Sequence, residues 1–302
     1  MDPIIQKSLR AAKAGHEAIL AGFGLERYVV YGPACGAFGR QWEDRLTMTG
    51  KGVGQFHNVR SISDGSGDAA GLFQGKLEPD DLKEVIELVE QVGLLDEAPF
   101  QIEPKDMSIR MTIIVGGMQV VKYVGLNEPE RIAKLEPLFR RLRKVELALR
   151  ENPVRTVRVD MTLPAQAAVG MQTIPVTLRF VNDGGESYWM QHPRMLNNGA
   201  YYDRATLTYG YRPPVEPGIA PPPIEVMESA LLPETEAGLQ MIWMAAGGAQ
   251  EIRMRADVNF HQSGKFLARA VYSNYTGEET VGGVPRLRGC VFSAEHAIIV
   301  SG

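Results

Sequence analysis

The sequence predicts two domains of different class: an α+β domain over residues 1–150, an antiparallel sheet with helices on one face, and an all-β sandwich over residues 151–302. Three observations predict this. Two long amphipathic helical patterns fall in the first half. After "ENPVRT", Glu151 to Thr156, no helical pattern of useful length occurs, and short alternating runs take over. A length of 302 residues is also more than one core usually serves.

Residues 3–21 are Ala-rich and helical in character. "LERYVVYG" and "WEDRLTMTG" read as strands closed by glycine turns, and "GKGVG" as a hairpin turn leading into the strand "QFHNVRSI". "LEPDDLKEVIELVEQVGLLD" is the clearest helix, with Leu82, Val85, Ile86, Val89 and Val92 on one stripe. Pro79 with Asp80 and Asp81 suits its start, and Gly93 its left-handed end. "MSIRMTIIVGGMQVVKYVG" predicts a hairpin about Gly116 and Gly117. The second helix is expected over Pro129 to Arg150, capped by Asn127 and kinked or restarted at Pro137.

In the second half, strands are expected at "TVRVDMTL", "IPVTLRFVN", "ATLTYGY", "GLQMIWMA", "EIRMRADV", "KFLARAVYS" and "CVFSAEHAIIV". In "IPVTLRF", Ile174, Val176, Leu178 and Phe180 form the inward set, and Pro175, Thr177 and Arg179 the outward one. "YRPPVEPGIAPPPIEV" is too rich in proline for a central strand and reads as an exposed loop.

The order of parts in this half resembles the immunoglobulin-like sandwich domains common in bacterial proteins. An entry strand at Val157 to Asp160 leads to "GMQTIPVTLRFVN", then near the end to "GKFLARAVY", Gly264 to Tyr272, and a last apolar strand at Ala297 to Val300. The resemblance covers about half the chain. It implies a fold and no single function, because such sandwiches serve in adhesins, inhibitors, enzyme accessory domains and chaperones. The first half is similar to a small bacterial α+β domain in which strands precede a helix with an "L-x-x-x-x-L-x-x-L-x-x-x-G" spacing, here held by Leu82, Ile86 or Val89, and Gly93.

Composition is that of a soluble globular chain, 44% hydrophobic and 23% charged. A net charge of −4 gives no electrostatic case for nucleic acid or an anionic membrane, and the basic run Arg140 to Lys144 reads as a solvated helix face. No apolar run approaches the roughly 20 residues of a membrane span, and the first residues lack the order of a signal peptide. A cytoplasmic setting is therefore expected. Cys35 and Cys290 are too few for a disulfide scaffold and suit a reducing compartment; a bridge between them, needing the domains to meet there, stays open.

No motif for chemistry emerges. The five histidines (His16, His57, His192, His261, His296) lie more than a turn apart. "DGSGD", Asp64 to Asp68, begins like a calcium loop but has Ala69 and Gly75 where Gly and Glu are required. No phosphate loop or nucleophile elbow is present, and Cys35 in "GPACGAFG" is the least poor nucleophile. We therefore expect no catalytic residue, metal or cofactor.

One stretch suits a protein partner: "ESYWMQHPRMLNNGAYYDR". Tyr188, Trp189, His192, Arg194, Tyr201 and Tyr202 are the candidate contact residues, since aromatics and Arg are enriched at interface hot spots. The simpler alternative has Tyr188 and Trp189 filling the sandwich core. Trp243 reads as a core-strand residue. The expected function is a non-catalytic protein-binding protein, an inhibitor or immunity protein that neutralises a bacterial toxin or enzyme by forming a complex. The alternatives are an enzyme with a site assembled at the domain junction, or an envelope adhesion or carbohydrate-binding protein.

Overall fold

A computed structural model describes residues 7–8, 10–11, 22–31, 42–59, 68–95, 108–115, 117–125, 127–196, 203–213, 225–234, 240–274 and 279–302. The chain is mostly β, with large antiparallel sheets and two α-helices among the described residues. It divides into two units: Met1–Asn58 with Leu72–Pro153, and Val59–Gly71 with Val154–Gly302.

The first unit holds strands β1 (Gly24–Tyr31), β2 (Trp42–Thr49), β3 (Val53–Asn58), most of β4 (Ala70–Lys76), helix α1 (Pro79–Gln91), β5 (Ser108–Val115), β6 (Met118–Gly125) and helix α2 (Pro129–Leu149). The strand order is β4-β3-β2-β1-β5-β6. Strand β3 shows why one face is buried: Gly54, Phe56 and Asn58 alternate with exposed neighbours. Leu135, Leu138, Leu142, Val145 and Leu149 make the buried stripe of α2; each fully buried leucine contributes roughly 1.5–3 kcal/mol. Gly93 follows α1 in the left-handed region (φ 65°), and its N–H closes on the Glu90 carbonyl. The hairpin of β5 and β6 turns through Gly117 (φ 79°).

Two helix details differ from expectation. The cap of α2 is Glu128, not Asn127, because Pro129 takes the first helical position. The Glu128 carboxylate accepts the Gly125 N–H at 3.1 Å and pairs with Arg131, which holds its pKa below the ordinary value. Helix α2 also runs through Pro137 as one element and does not restart there, although the ring removes a backbone donor. The predicted helix over 3–21 and the loops holding Cys35 and Asp64 lie outside the described residues, apart from a few positions.

Charge is buried between the sheet and α2. Arg27 pairs with Glu146, which is 1% exposed, and Arg143 reaches Glu146 at 3.4 Å. Asp44 and the fully buried Lys122 lie on the same sheet face as Arg27; Arg27 and Lys122 are both register partners of Met111. Burial pushes the Glu146 carboxyl above the usual range, Arg27 and Arg143 partly offset this, and the Asp44 charge adds to it.

The second unit holds β7 (Pro153–Thr162), β8 (Gln166–Ala168), β9 (Gly170–Val181), β10 (Tyr188–Gln191), β11 (Arg204–Tyr211), β12 (Met227–Ala230), β13 (Leu232–Pro233), β14 (Met241–Met244), β15 (Ala249–Phe260), β16 (Gly264–Asn274), β17 (Thr280–Val281), β18 (Val284–Pro285), β19 (Gly289–Phe292) and β20 (His296–Ser301). One sheet runs β13-β15-β9-β7 and the other β12-β11-β16-β20-β8, with β19 also on β16. Their inner faces share one apolar core. Ile174, Val176, Leu178 and Phe180 point into it as expected, and edge-to-face contacts such as Phe180 on Tyr272 (5.2 Å) cross between the sheets.

The segment Val59–Gly71 belongs to this unit. Its start accepts the Cys290 N–H at the Val59 carbonyl (2.8 Å), and Ala70 enters the sandwich core. Gly289 (φ 142°) permits the approach, since a Cβ there would lie 2.4 Å from the Val59 oxygen.

The buried pair sets a stability prediction. Glu146→Leu alone should cost about 3–5 kcal/mol in urea unfolding, because Arg27 is left buried without its partner. Arg27→Met with Glu146→Leu should recover most of that loss. A double-variant cost equal to the sum of the two single-variant costs would show that the pair is not coupled. The raised pKa makes the Glu146 contribution fully present below pH ~4.5 and lost as pH rises through the folded value; Glu146→Gln should remove that slope.

Candidate functional site

At one end of the sandwich, Val181 ends β9, and the fully buried Asn182 ties together the backbone around the next turn. Its Oδ1 accepts the N–H groups of Thr156 (3.3 Å) and Gly184 (3.0 Å), and its Nδ2 donates to the carbonyls of Glu186 (2.9 Å) and Ala245 (3.0 Å). The turn is tight: a Cβ on Gly184 would lie 2.3 Å from the Val154 oxygen. This arrangement places β10 and β14 as a two-stranded antiparallel ribbon.

Strand alternation then sorts the side chains. Tyr188 and Met190 enter the core, and the Tyr188 hydroxyl donates to the Thr156 carbonyl at 2.6 Å. Burial raises the Tyr188 and Tyr272 hydroxyl pKa values well above the ordinary one. Trp189 and Gln191 take the opposite face of β10. Trp189 is directly across from Trp243, their rings 4.9 Å apart and edge to face. Trp243 is 40% exposed.

A polar network stands beside the two indoles. Arg286 donates to the side-chain oxygens of Gln191 and, at 3.2 Å, Asn274. The Asn274 amide donates to the Leu287 carbonyl, and the Tyr272 hydroxyl to the Gln191 carbonyl at 2.8 Å. The Leu287 N–H donates to the Trp189 carbonyl at 2.8 Å, tying the approach to β19 to the ribbon. Asn274 is fully buried.

After β10 the chain turns through a short 3₁₀ helix, Pro193–Met195. His192 caps it, its Nδ1 accepting the Arg194 N–H at 3.2 Å, so the neutral ring carries its proton on Nε2. Burial, and then the Arg194 charge, lower the His192 pKa. Arg194 is half-buried, and its Nε has no partner among the described residues.

The six candidate residues thus part company. Trp189 and Arg194 are partly exposed, His192 is a buried cap, and Tyr188 fills the core. Tyr201 and Tyr202 lie outside the described residues. Gln191 and Arg286 join the site without having been singled out in the sequence, and Trp243, read there as a core-strand residue, is instead exposed on the outward face of β14. Gln191 carried the usable signal: a polar residue two positions from Trp189 marks their shared face as outward. Trp243 had none, since Met241 to Met244 is apolar at every position.

Among the described residues, no group of three His, Cys, Asp or Glu side chains could hold a metal ion, and no helix is long and apolar enough to cross a membrane. No known family model matches the sequence, and no curated protein matches it. Among solved structures, a β-glucosidase from Listeria innocua in complex with glucose is 11% identical, with 48% of this chain and 16% of that chain covered and a TM-score of 0.22. AvmM, described as catalysing macrocyclization in alchivemycin A biosynthesis, is 11% identical, with 50% of this chain and 97% of that one covered and a TM-score of 0.27. Both likenesses are too distant to carry a function across.

The cap makes a pH prediction. A lowered His192 pKa gives stability that is present above the ordinary value of about 6.5 and lost as pH falls through the folded value. His192→Asn, which can still accept the cap hydrogen bond, should flatten that part of the stability profile while keeping the fold. A profile unchanged between pH 7 and 5 would show that His192 does not contribute.

Proposed function

We propose that this chain is a non-catalytic protein-binding protein, and that the partner docks on the ribbon end of the second unit. The observation that carries this reading is the Trp189–Trp243 pair, an aromatic surface partly open to solvent and backed by a bonded polar network. Tryptophan and arginine are the residue types most enriched at interface hot spots, and rigid aromatic anchors lose little entropy when they bind. An inhibitor or immunity role is the form of this function we favour, with an enzyme or toxin as the partner.

The finer fold assignment goes with it. We read the second unit as an immunoglobulin-like sandwich and the first as an α+β domain. In support, the first sheet of the second unit has the order expected of strands D, E, B and A, and the other that of C′, C, F and G. The entry strand also passes from β7 in one sheet to β8, which pairs parallel to the last strand β20 in the other. In such sandwiches, binding loops gather at one end, as β10, β14 and the segment before β19 do here.

Pull-down from native extract followed by affinity measurement tests the proposal. Trp189→Ala and Trp243→Ala should each weaken binding of a captured stoichiometric partner by more than about 1 kcal/mol. Trp189→Phe should lose less, since it keeps a ring against Trp243. Circular dichroism separates this from unfolding. Full affinity in both alanine variants would sink the placement, and inhibition of the partner's activity would support the inhibitory form.

A further inference from the structure

We infer that β14 is a strand-addition site, whose edge, open among the described residues, takes an extended segment of the partner protein along the backbone of Met241 and Trp243. This rests on the binding reading above and states how the partner is held.

The hydrogen-bond phase of the ribbon decides which groups face outward. The His192 N–H donates to the Gln240 carbonyl at 2.9 Å, and these two residues continue the register of β10 with β14. Hydrogen-bonded and non-hydrogen-bonded pairs alternate along an antiparallel ladder. Met190 with Ile242 and Tyr188 with Met244 are therefore bonded pairs, whereas Trp189 with Trp243 and Gln191 with Met241 are not. The β10 side confirms the phase, because the outward carbonyls of Trp189 and Gln191 are taken by the Leu287 N–H and the Tyr272 hydroxyl. On the β14 side, the N–H and C=O groups of Met241 and Trp243 point away from β10. Beyond them the edge closes, since the Ala245 carbonyl is taken by Asn182 and by the Gly248 N–H.

Among the described residues, the outer strands β13, β12, β8 and β6 are guarded, as edges in natural proteins usually are. Strand β13 is two residues long and ends in Pro233. In β12, Glu228 is held by Arg204 at 3.0 Å. Strand β8 is three residues long. Edge strand β6 carries the inward-pointing, fully buried Lys122. Strand β14, Met-Ile-Trp-Met, has no lysine, proline or charge.

The chemistry offered selects an extended occupant. Two backbone donors and two acceptors, two residues apart on one line, match the period of a β-strand, while a helix has already used its own backbone groups. The residue facing Trp243 would lie against the exposed indole, so an aromatic or aliphatic side chain is expected there, as in other strand-addition complexes.

The test uses a phage-displayed library of random dodecapeptides selected against the full chain, followed by synthesis of enriched peptides. These should share apolar residues at alternate positions, and binding should slow hydrogen exchange at the Met241 and Trp243 amides. Met241→Pro removes one outward donor, makes no change to the bonds with β10, and keeps the Trp pair, so it should fold and bind at least about tenfold more weakly. Met241→Ala should stay close to the parent. No enrichment overturns strand addition. So do peptides that need Trp189 and Trp243 but leave both amides exchanging freely and tolerate Met241→Pro, in which case the binding reading stands without it. Peptides indifferent to Trp189→Ala and Trp243→Ala defeat both. Self-association that protects these amides in the protein alone also overturns the proposal, with a second copy as the occupant.

Discussion

The Asn182 side chain uses both of its oxygen lone pairs and both of its N–H donors in the interior of the second unit. The four partners belong to β7, to the turn after β9, to the approach to β10, and to the turn between β14 and β15. A buried amide left unsatisfied costs about as much as the desolvation of the group, so these segments have one low-energy arrangement. The ribbon and its two tryptophans inherit their position from it. Gly184 is part of the same constraint, because no side chain fits against the Val154 carbonyl.

The two units bury polarity in different ways. The second does so mostly with neutral groups (Asn182, Asn274, Tyr188, Tyr272) whose hydrogen bonds replace those lost to water, Asp203 being its buried acid. The first buries full charges, Arg27, Asp44, Lys122 and Glu146. The raised pKa of Glu146 shows that desolvation outweighs attraction there. By contrast, the ion pairs of Arg141 with Asp81 and Glu84, between α1 and α2, involve more exposed carboxylates and hold the helices only weakly.

Much of the local structure was legible from residue order. Apolar residues three and four apart marked α1 and α2, and the alternation from Ile174 to Phe180 named the inward face of β9 correctly. The candidate site was legible only in part. The stretch from Glu186 to Arg204 was picked out by its composition, but composition says nothing of which way a side chain faces. Tyr188 and Trp189 are neighbours of similar chemistry, and strand pleating sends one into the core and the other outward. The cap role of His192 depends on the turn that comes after it, and Arg286 reaches Gln191 from 95 residues away.

By itself the sequence determined what short-range physics controls: element type, the inward faces of alternating strands, and the glycine turns at Gly93 and Gly117. Only the tertiary structure decided which strands pair, that Val59–Gly71 joins the second unit, and that Trp243 faces solvent beside Trp189. The reason is range. Helical periodicity and pleating are set by neighbours along the chain. Pairing, hydrogen-bond phase and exposure are set by partners tens of residues away, and a run such as Met-Ile-Trp-Met carries no pattern from which those partners can be read.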